Sequence, residues 1–144
     1  MKGSGGTEGP TVYEHRLSVH AEDIDTMGHV NNIVYLRWVQ EAATAHWNAA
    51  ATDEQKAEYA WVVIRHEIDY LRPAMPGDQL AARTHVGAAA GAKFDRHVEI
   101  FRVPDGTVLA RARSVWVAID PRSGRPRRVG EALRSRFHSA VADA

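Results

Sequence analysis

The chain has no cysteine, no excess of either charge and no long apolar run, and each absence removes a class of function. Without cysteine there is no disulfide, no thiolate nucleophile and no cysteine-based zinc site. Lys+Arg and Asp+Glu both number 18, so no net field draws the protein towards nucleic acid or an anionic membrane. The longest apolar stretches fall far short of the ~20 residues that a membrane-spanning helix needs. None of the eight histidines forms a His-x-x-x-His pair, so a metal site is not expected, and neither is a cofactor. The first ten residues are rich in glycine and lack an apolar h-region. They read as a flexible leader and not as a signal peptide, ahead of a single domain over 11–144. A soluble, cytoplasmic protein is expected.

What is present is an ordered series of periodic segments. Thr11 to His20 alternates well enough to be a first strand, interrupted by the polar stretch Ala21 to Gly28. Asn31 to about Ala51 contains neither glycine nor proline, and its apolar residues cover much of a helical circumference, so the segment predicts a long, buried helix with Asn31 as N-cap. Thr52 to Gln55 has the form of a capping box and opens a short second helix ending near Tyr59. The period then becomes two-fold. Val62, Ile64, His66, Ile68 and Tyr70 are expected on one face of a strand, with Arg65, Glu67 and Asp69 on the other. Further strands are expected over Gln79–Gly87, Lys93–Val103 and Thr107–Asp120, the last two joined by a primed turn at Asp105-Gly106. A terminal helix is expected over Gly130–Ala140.

One strand, a long apolar helix and four antiparallel strands make an α+β domain, in which the sheet buries the helix by wrapping round it. One helix cannot cover both faces of such a sheet, so pairing with a second copy is expected.

The densest chemistry lies in Asp23-Ile24-Asp25-Thr26-Met27-Gly28-His29-Val30-Asn31-Asn32. Two carboxylates, a glycine, a histidine and two asparagines stand directly before the helix start, where backbone N–H groups lack partners. Such a place can polarise a carbonyl and attack it. Asp25 has two routes open: direct attack to form a mixed anhydride, or deprotonation of a water. His29 can orient Asp25, touch substrate or simply order the loop. Gly28 suits close backbone approach. Tyr35 and Trp38 read as core or pocket wall, and His66 as a hydrogen-bonded histidine on an apolar face. Glu41 faces either the pocket or a salt bridge. The one basic cluster, Arg122, Arg125, Arg127 and Arg128, is either a solvated loop or a grip for phosphates. With no aromatics interleaved, it does not suggest nucleic-acid binding.

The pattern Asp23-x-Asp25-x-x-Gly28-His29-Val30-Asn31-Asn32-x-x-Tyr35-x-x-Trp38 resembles the hotdog-fold acyl-CoA thioesterases of the 4-hydroxybenzoyl-CoA thioesterase group. Asp69-Tyr70-x-x-Pro73, Gly77-Asp78-x-Leu80 and Asp120-x-x-Ser123-Gly124-Arg125-Pro126 extend the resemblance in the same order, from about Tyr13 to Arg128. It implies a five-stranded antiparallel sheet wrapped round one central helix, and two protomers joined into one sheet with active sites at their interface. Dimers of this kind often pair into tetramers. It also implies Asp25 as the catalytic carboxylate, with backbone amides near Asn32 holding the thioester oxygen. The substrate would be an acyl-CoA or an acyl group on a carrier protein. Gly28, Tyr35, Trp38 and Glu41 would border it, and Arg125 and Arg128 would meet the CoA phosphates. Plant acyl-carrier-protein thioesterases that share the His-Val-Asn-Asn run carry an asparagine where this chain has Met27, so an Asp-Asn-His mechanism does not transfer. Two other readings stand beside hydrolysis: hydration or dehydration of acyl thioesters, and a non-hydrolysing acyl-CoA binding module.

Overall fold

A computed structural model describes residues 12–137. The leader over 1–10 lies outside the described residues, as does the final part of the helix expected over 130–140. The chain runs β1 (Tyr13–Leu17), a 3₁₀ turn (Ala21–Asp23), α1 (Asn32–Ala50), α2 (Asp53–Glu58), β2 (Ala60–Tyr70), β3 (Leu80–Ala90), β4 (Lys93–Arg102), β5 (Val108–Ile119) and α3 (Glu131–Phe137). The strands form one antiparallel sheet in the order β1-β3-β4-β5-β2. The architecture is α+β, as the segment order implied.

Both predicted N-caps are present, and each has a hydrogen-bonding reason. Asn31 accepts the Ile33 amide at 3.1 Å, and Thr52 and Gln55 bond reciprocally at the start of α2. Helix α1 buries Val34, Tyr35, Trp38, Val39, Ala42, Ala43 and His46, and leaves Arg37, Gln40, Glu41 and Thr44 outside. Its first half packs into a cluster with Leu80, Ile100 and Leu109, around a fully buried Trp38. Truncating a side chain of that size to alanine costs about 3–5 kcal/mol. A second cluster gathers Tyr59, Val86, Phe94, Leu133 and Phe137.

Strand β2 departs from the simple alternation. The register with β5 shifts between Val63 and Arg65, so Ile64 is the extra residue of a bulge. Trp61 and Val63 before it are half-buried, as are His66 and Ile68 after it, while Val62 and Ile64 are exposed. A bulge moves the following side chains to the opposite parity. The one-face reading of Val62 to Tyr70 is therefore corrected: Val62 and Ile64 do not share the face of His66 and Ile68. The β4–β5 connection also differs from the expected two-residue turn. The Gly106 amide donates to the Arg102 carbonyl at 2.8 Å and the Arg102 amide to Thr107, which closes a four-residue loop. Strand β3 runs on to Ala90 before Gly91 turns the chain with φ 61°.

The outer face of the sheet is an array of paired charges. Glu99 bridges Arg83 and Arg111, and Arg113 lies between Asp95 and Glu67.

Candidate active site

The loop between the 3₁₀ turn and α1 is folded by its own polar groups. The Asp25 amide donates to the His29 carbonyl at 2.8 Å, and the Gly28 amide to the Asp25 carbonyl at 3.0 Å. Asp25 Oδ1 accepts the amides of Met27 at 2.9 Å and His29 at 3.1 Å. Both bonds fall on one carboxylate oxygen. The other oxygen, Oδ2, takes none among the described residues, which leaves it available to a reacting group. Gly28 holds φ 81°, and a Cβ built there would meet nothing within 4 Å. That φ favours glycine, and the open space beside it leaves the backbone accessible.

Two strand-like contacts pin this loop to the rest of the fold. The Val30 amide donates to the Ala74 carbonyl at 2.9 Å, and the Asn31 amide to the Asp23 carbonyl at 2.8 Å. Asp23 itself is only 2 % exposed. Its two oxygens accept from the two terminal nitrogens of Arg37 at 3.1 Å each, and Oδ2 also accepts the His20 amide. The Arg37 guanidinium holds the Asp23 carboxyl below the usual aspartate range, against the opposing effect of burial. Asp23 is therefore the residue that ties the loop to α1, and Asp25 is the one left with an unengaged oxygen among the described residues.

At the start of α1, Asn31 satisfies the Ile33 amide and the Val34 amide bonds back to the Asn31 carbonyl. The Asn32 amide has no acceptor among the described residues. It is an unfilled donor at the positive end of a 19-residue helix. Asp25, His29 and Asn32 share one cleft of about 280 Å³ with Val30, Tyr35, Tyr70, Leu71, Arg72 and Pro73. Tyr35 is buried, and its hydroxyl accepts the Ala74 amide at 2.8 Å. Burial pushes the Tyr35 phenol up, so it stays neutral. Tyr70 packs edge-on against Tyr35, and its hydroxyl reaches the Asn32 carbonyl at 3.3 Å.

The other sequence candidates lie elsewhere in the protomer. Trp38 belongs to the core and does not line the cleft. Glu41 pairs with Arg37 at 3.3 Å on the outer side of α1. Arg125 and Arg128 are exposed on the loop after β5. That loop is shaped by Asp120, whose Oδ1 accepts the amides of Arg122 and Ser123, and by Gly124 at φ 73°. In this chain the Asp120-x-x-Ser123-Gly124 run therefore makes a turn. His66 donates to or accepts from Ser114 Oγ at 2.7 Å, the partnered histidine its position suggested. Tyr70 and Arg72 were not singled out as site residues, although both fall inside the Asp69-Tyr70-x-x-Pro73 motif that could have marked them.

A sheet of order β1-β3-β4-β5-β2 folded on one long helix, with a carboxylate and an unfilled helix amide in one cleft, is the hotdog architecture in a form suited to acyl transfer chemistry. The family model described as the thioesterase-like superfamily matches residues 19–137, and the chain belongs to that family. Among curated relatives, the long-chain acyl-CoA thioesterase FadM of Escherichia coli is 26% identical over 131 residues, covering 88% of this chain and 97% of its own. The acyl-acyl carrier protein thioesterase ATL3 of Arabidopsis thaliana is 24% identical over 136 residues, covering 92% and 71%. Among solved structures, a Thermus thermophilus thioesterase complexed with coenzyme A and zinc matches with a TM-score of 0.76 and 29% identity. That match covers 89% of this chain and 98% of the other.

Proposed function

We propose that this thioester hydrolase acts on acyl-CoA, with Asp25 as its catalytic carboxylate and the Asn32 amide as oxyanion donor. The observation that carries the reading is the pairing, in one cleft, of a carboxylate with one unengaged oxygen and a helix-start amide with no acceptor. A thioester carbonyl seated with its oxygen on the Asn32 amide would gain hydrogen bonding as negative charge develops there. Its carbon would then face Asp25, acting directly or through a water. The thiolate of CoA leaves without a strong general acid, so the cleft needs none. Coenzyme A bound to the Thermus relative and the acyl-CoA activity named for FadM support CoA as the carrier. Arg72 at the cleft, with Arg125 and Arg128 on the later loop, would supply cations for its phosphates.

The same reading makes the working unit a homodimer. Strand β2 is a sheet edge with Val62, Ile64 and Tyr70 exposed, and Met27 (76 %) and Ile33 (69 %) stand exposed beside the cleft. An open edge carrying apolar side chains is a template for a second copy.

The test is thiol release from acetyl-, decanoyl-, palmitoyl-, benzoyl- and phenylacetyl-CoA, with wild type and Asp25→Asn side by side. Hydrolysis of at least one ester that falls roughly 100-fold or more in the variant supports the reading. Hydrolysis that survives the substitution moves the chemistry off Asp25, and binding without hydrolysis favours an acyl-CoA binding module.

A further inference from the structure

A second cavity, of about 260 Å³, lies against the C-terminal half of α1 and shares no lining residue with the Asp25 cleft. Its wall is aromatic: Trp47, Tyr59, Trp61, Phe94 and Trp116, with Ala43 and Thr44 from the helix. Rings in this wall pack closely, Trp61 to Phe94 at 4.9 Å and Trp47 to Trp61 at 5.5 Å between centroids. Into this apolar lining β4 places one cation, Arg96, which is 6% exposed.

The other buried charge among the described residues, Asp23, is paired with Arg37, whereas Arg96 has no counter-charge among them. Its Nη1 makes both of its hydrogen bonds, to Thr84 Oγ1 at 2.9 Å and to His46 Nδ1 at 3.0 Å. Arginine has no acceptor, so His46 Nδ1 must accept, and its proton sits on Nε2. Both partners are therefore neutral. No carboxylate among the described residues is in bonding range of Arg96, and its Nε and Nη2 make no hydrogen bond there. A buried cation without a counter-charge carries a desolvation penalty of several kcal/mol. Burial accordingly pulls the Arg96 guanidinium down to about 10, and no nearby acid opposes it. It remains charged at neutral pH. The indole N–H groups of Trp61 and Trp116 are also buried without acceptors among the described residues. Thus Arg96 Nε and Nη2 and the two indole N–H groups at this wall are donors that no acceptor among the described residues meets.

We propose that this cavity binds a small organic carboxylate with an apolar, aromatic body. The unengaged Nε–Nη2 edge of Arg96 has the planar fork that pairs with a carboxylate through two parallel bonds. Bringing the anion in supplies a counter-charge among packed rings, where such a pair is stronger than in open water. The ring-lined wall accepts a flat body by offset or edge-on packing. A volume of about 260 Å³ is below the ~300–1,000 Å³ of sites for drug-sized molecules, so one ring and a short arm fill it. The site does not depend on the thioester reading, and its occupancy is measured without any thioester present.

The experiment is calorimetric titration of the full chain with phenylacetate, and in parallel with phenylacetamide, which has the same shape and no charge. Wild type is expected to bind phenylacetate saturably, one per chain, and the amide at least tenfold more weakly. Arg96→Met should remove that preference, and the double variant Trp61→Phe, Trp116→Phe should weaken acid binding several-fold while keeping the rings. Asp25→Asn should bind phenylacetate as wild type does. Equal binding of acid and amide by wild type, or no saturable binding of either, overturns the proposal. So does an unchanged acid preference in a folded Arg96→Met protein. If that variant does not fold, the wild-type acid-to-amide ratio and the tryptophan double variant decide the matter.

Discussion

The two ends of α1 handle charge in opposite ways. At its start a carboxylate, Asp25, is half-exposed and held by two loop amides, and it shares a cleft with a helix end of positive potential. Along its second half a guanidinium, Arg96, is enclosed by rings and held by two neutral partners. The first arrangement keeps an anion solvated enough to react and supported enough to stay put. The second leaves a cation without a counter-charge among the described residues, at the wall of a ring-lined cavity. The difference shows which polar groups the fold consumes for itself and which it leaves over. Asp23 is consumed by Arg37, and the outer-face arginines by Glu67, Asp95 and Glu99. Asp25 and Arg96 are left over, and both line cavities.

The largest expected effect separates reactivity from stability at the first end. Asp25→Asn should lower thioester hydrolysis by roughly 100- to 1,000-fold. The asparagine Oδ1 can still accept the Met27 and His29 amides, so the unfolding free energy should change by less than about 1 kcal/mol. Chemical denaturation of both proteins at pH 7 checks this. A stability loss of several kcal/mol would mean that the charge serves the loop and not the reaction.

At the second end the corresponding probe is His46. Burial, then the neighbouring charges of Arg96 and His85, pull its imidazole from 6.5 down to about 3. The folded state therefore binds fewer protons than the unfolded chain between those values, and stability falls as pH falls. For one group the slope approaches about 1.4 kcal/mol per pH unit, so the loss between pH 6 and pH 4 is on the order of 2–3 kcal/mol. His46→Gln should flatten the profile in that window. The measurement is denaturant unfolding at half-unit pH steps, and an equal slope in both proteins would remove His46 as its source.

How far the sequence carried these distinctions depended on the range of the interactions. The helix caps at Asn31 and Thr52, the order of strands and the placing of Asp25 before a helix are local, and periodicity and turn chemistry reveal local features. The bulge at Ile64 was hidden, because an extra residue in β2 is defined only against its partner β5. The charge of Arg96 was hidden for the same reason. Its neighbours Thr84 and His46 are 12 and 50 residues away, and nothing in the local pattern separates it from Arg113, which bonds Asp95 on the outer face. Glu41 was ambiguous from helical position alone, and its i,i+4 pairing with Arg37 explains its outward place.

That pairing leads to the smallest of the expected effects. Arg37 joins Asp23 to Glu41 on the helix, so Arg37→Ala cuts the one charged tie between the segment before α1 and the helix among the described residues. Arg37 is 44% exposed, and solvent screens the pair, so the loss should be about 1 kcal/mol and not the ~3–5 kcal/mol of a deeply buried pair. The pH dependence identifies the cause. A carboxyl whose folded pKa is depressed gives stability that is present above the ordinary value near 3.8 and lost as pH falls through the folded one. The difference between wild type and Arg37→Ala should accordingly be full at pH 6 and shrink towards zero as Asp23 protonates below pH 4. If it persisted undiminished at pH 2.5, Arg37 would be stabilising the fold through the packing of its aliphatic stem.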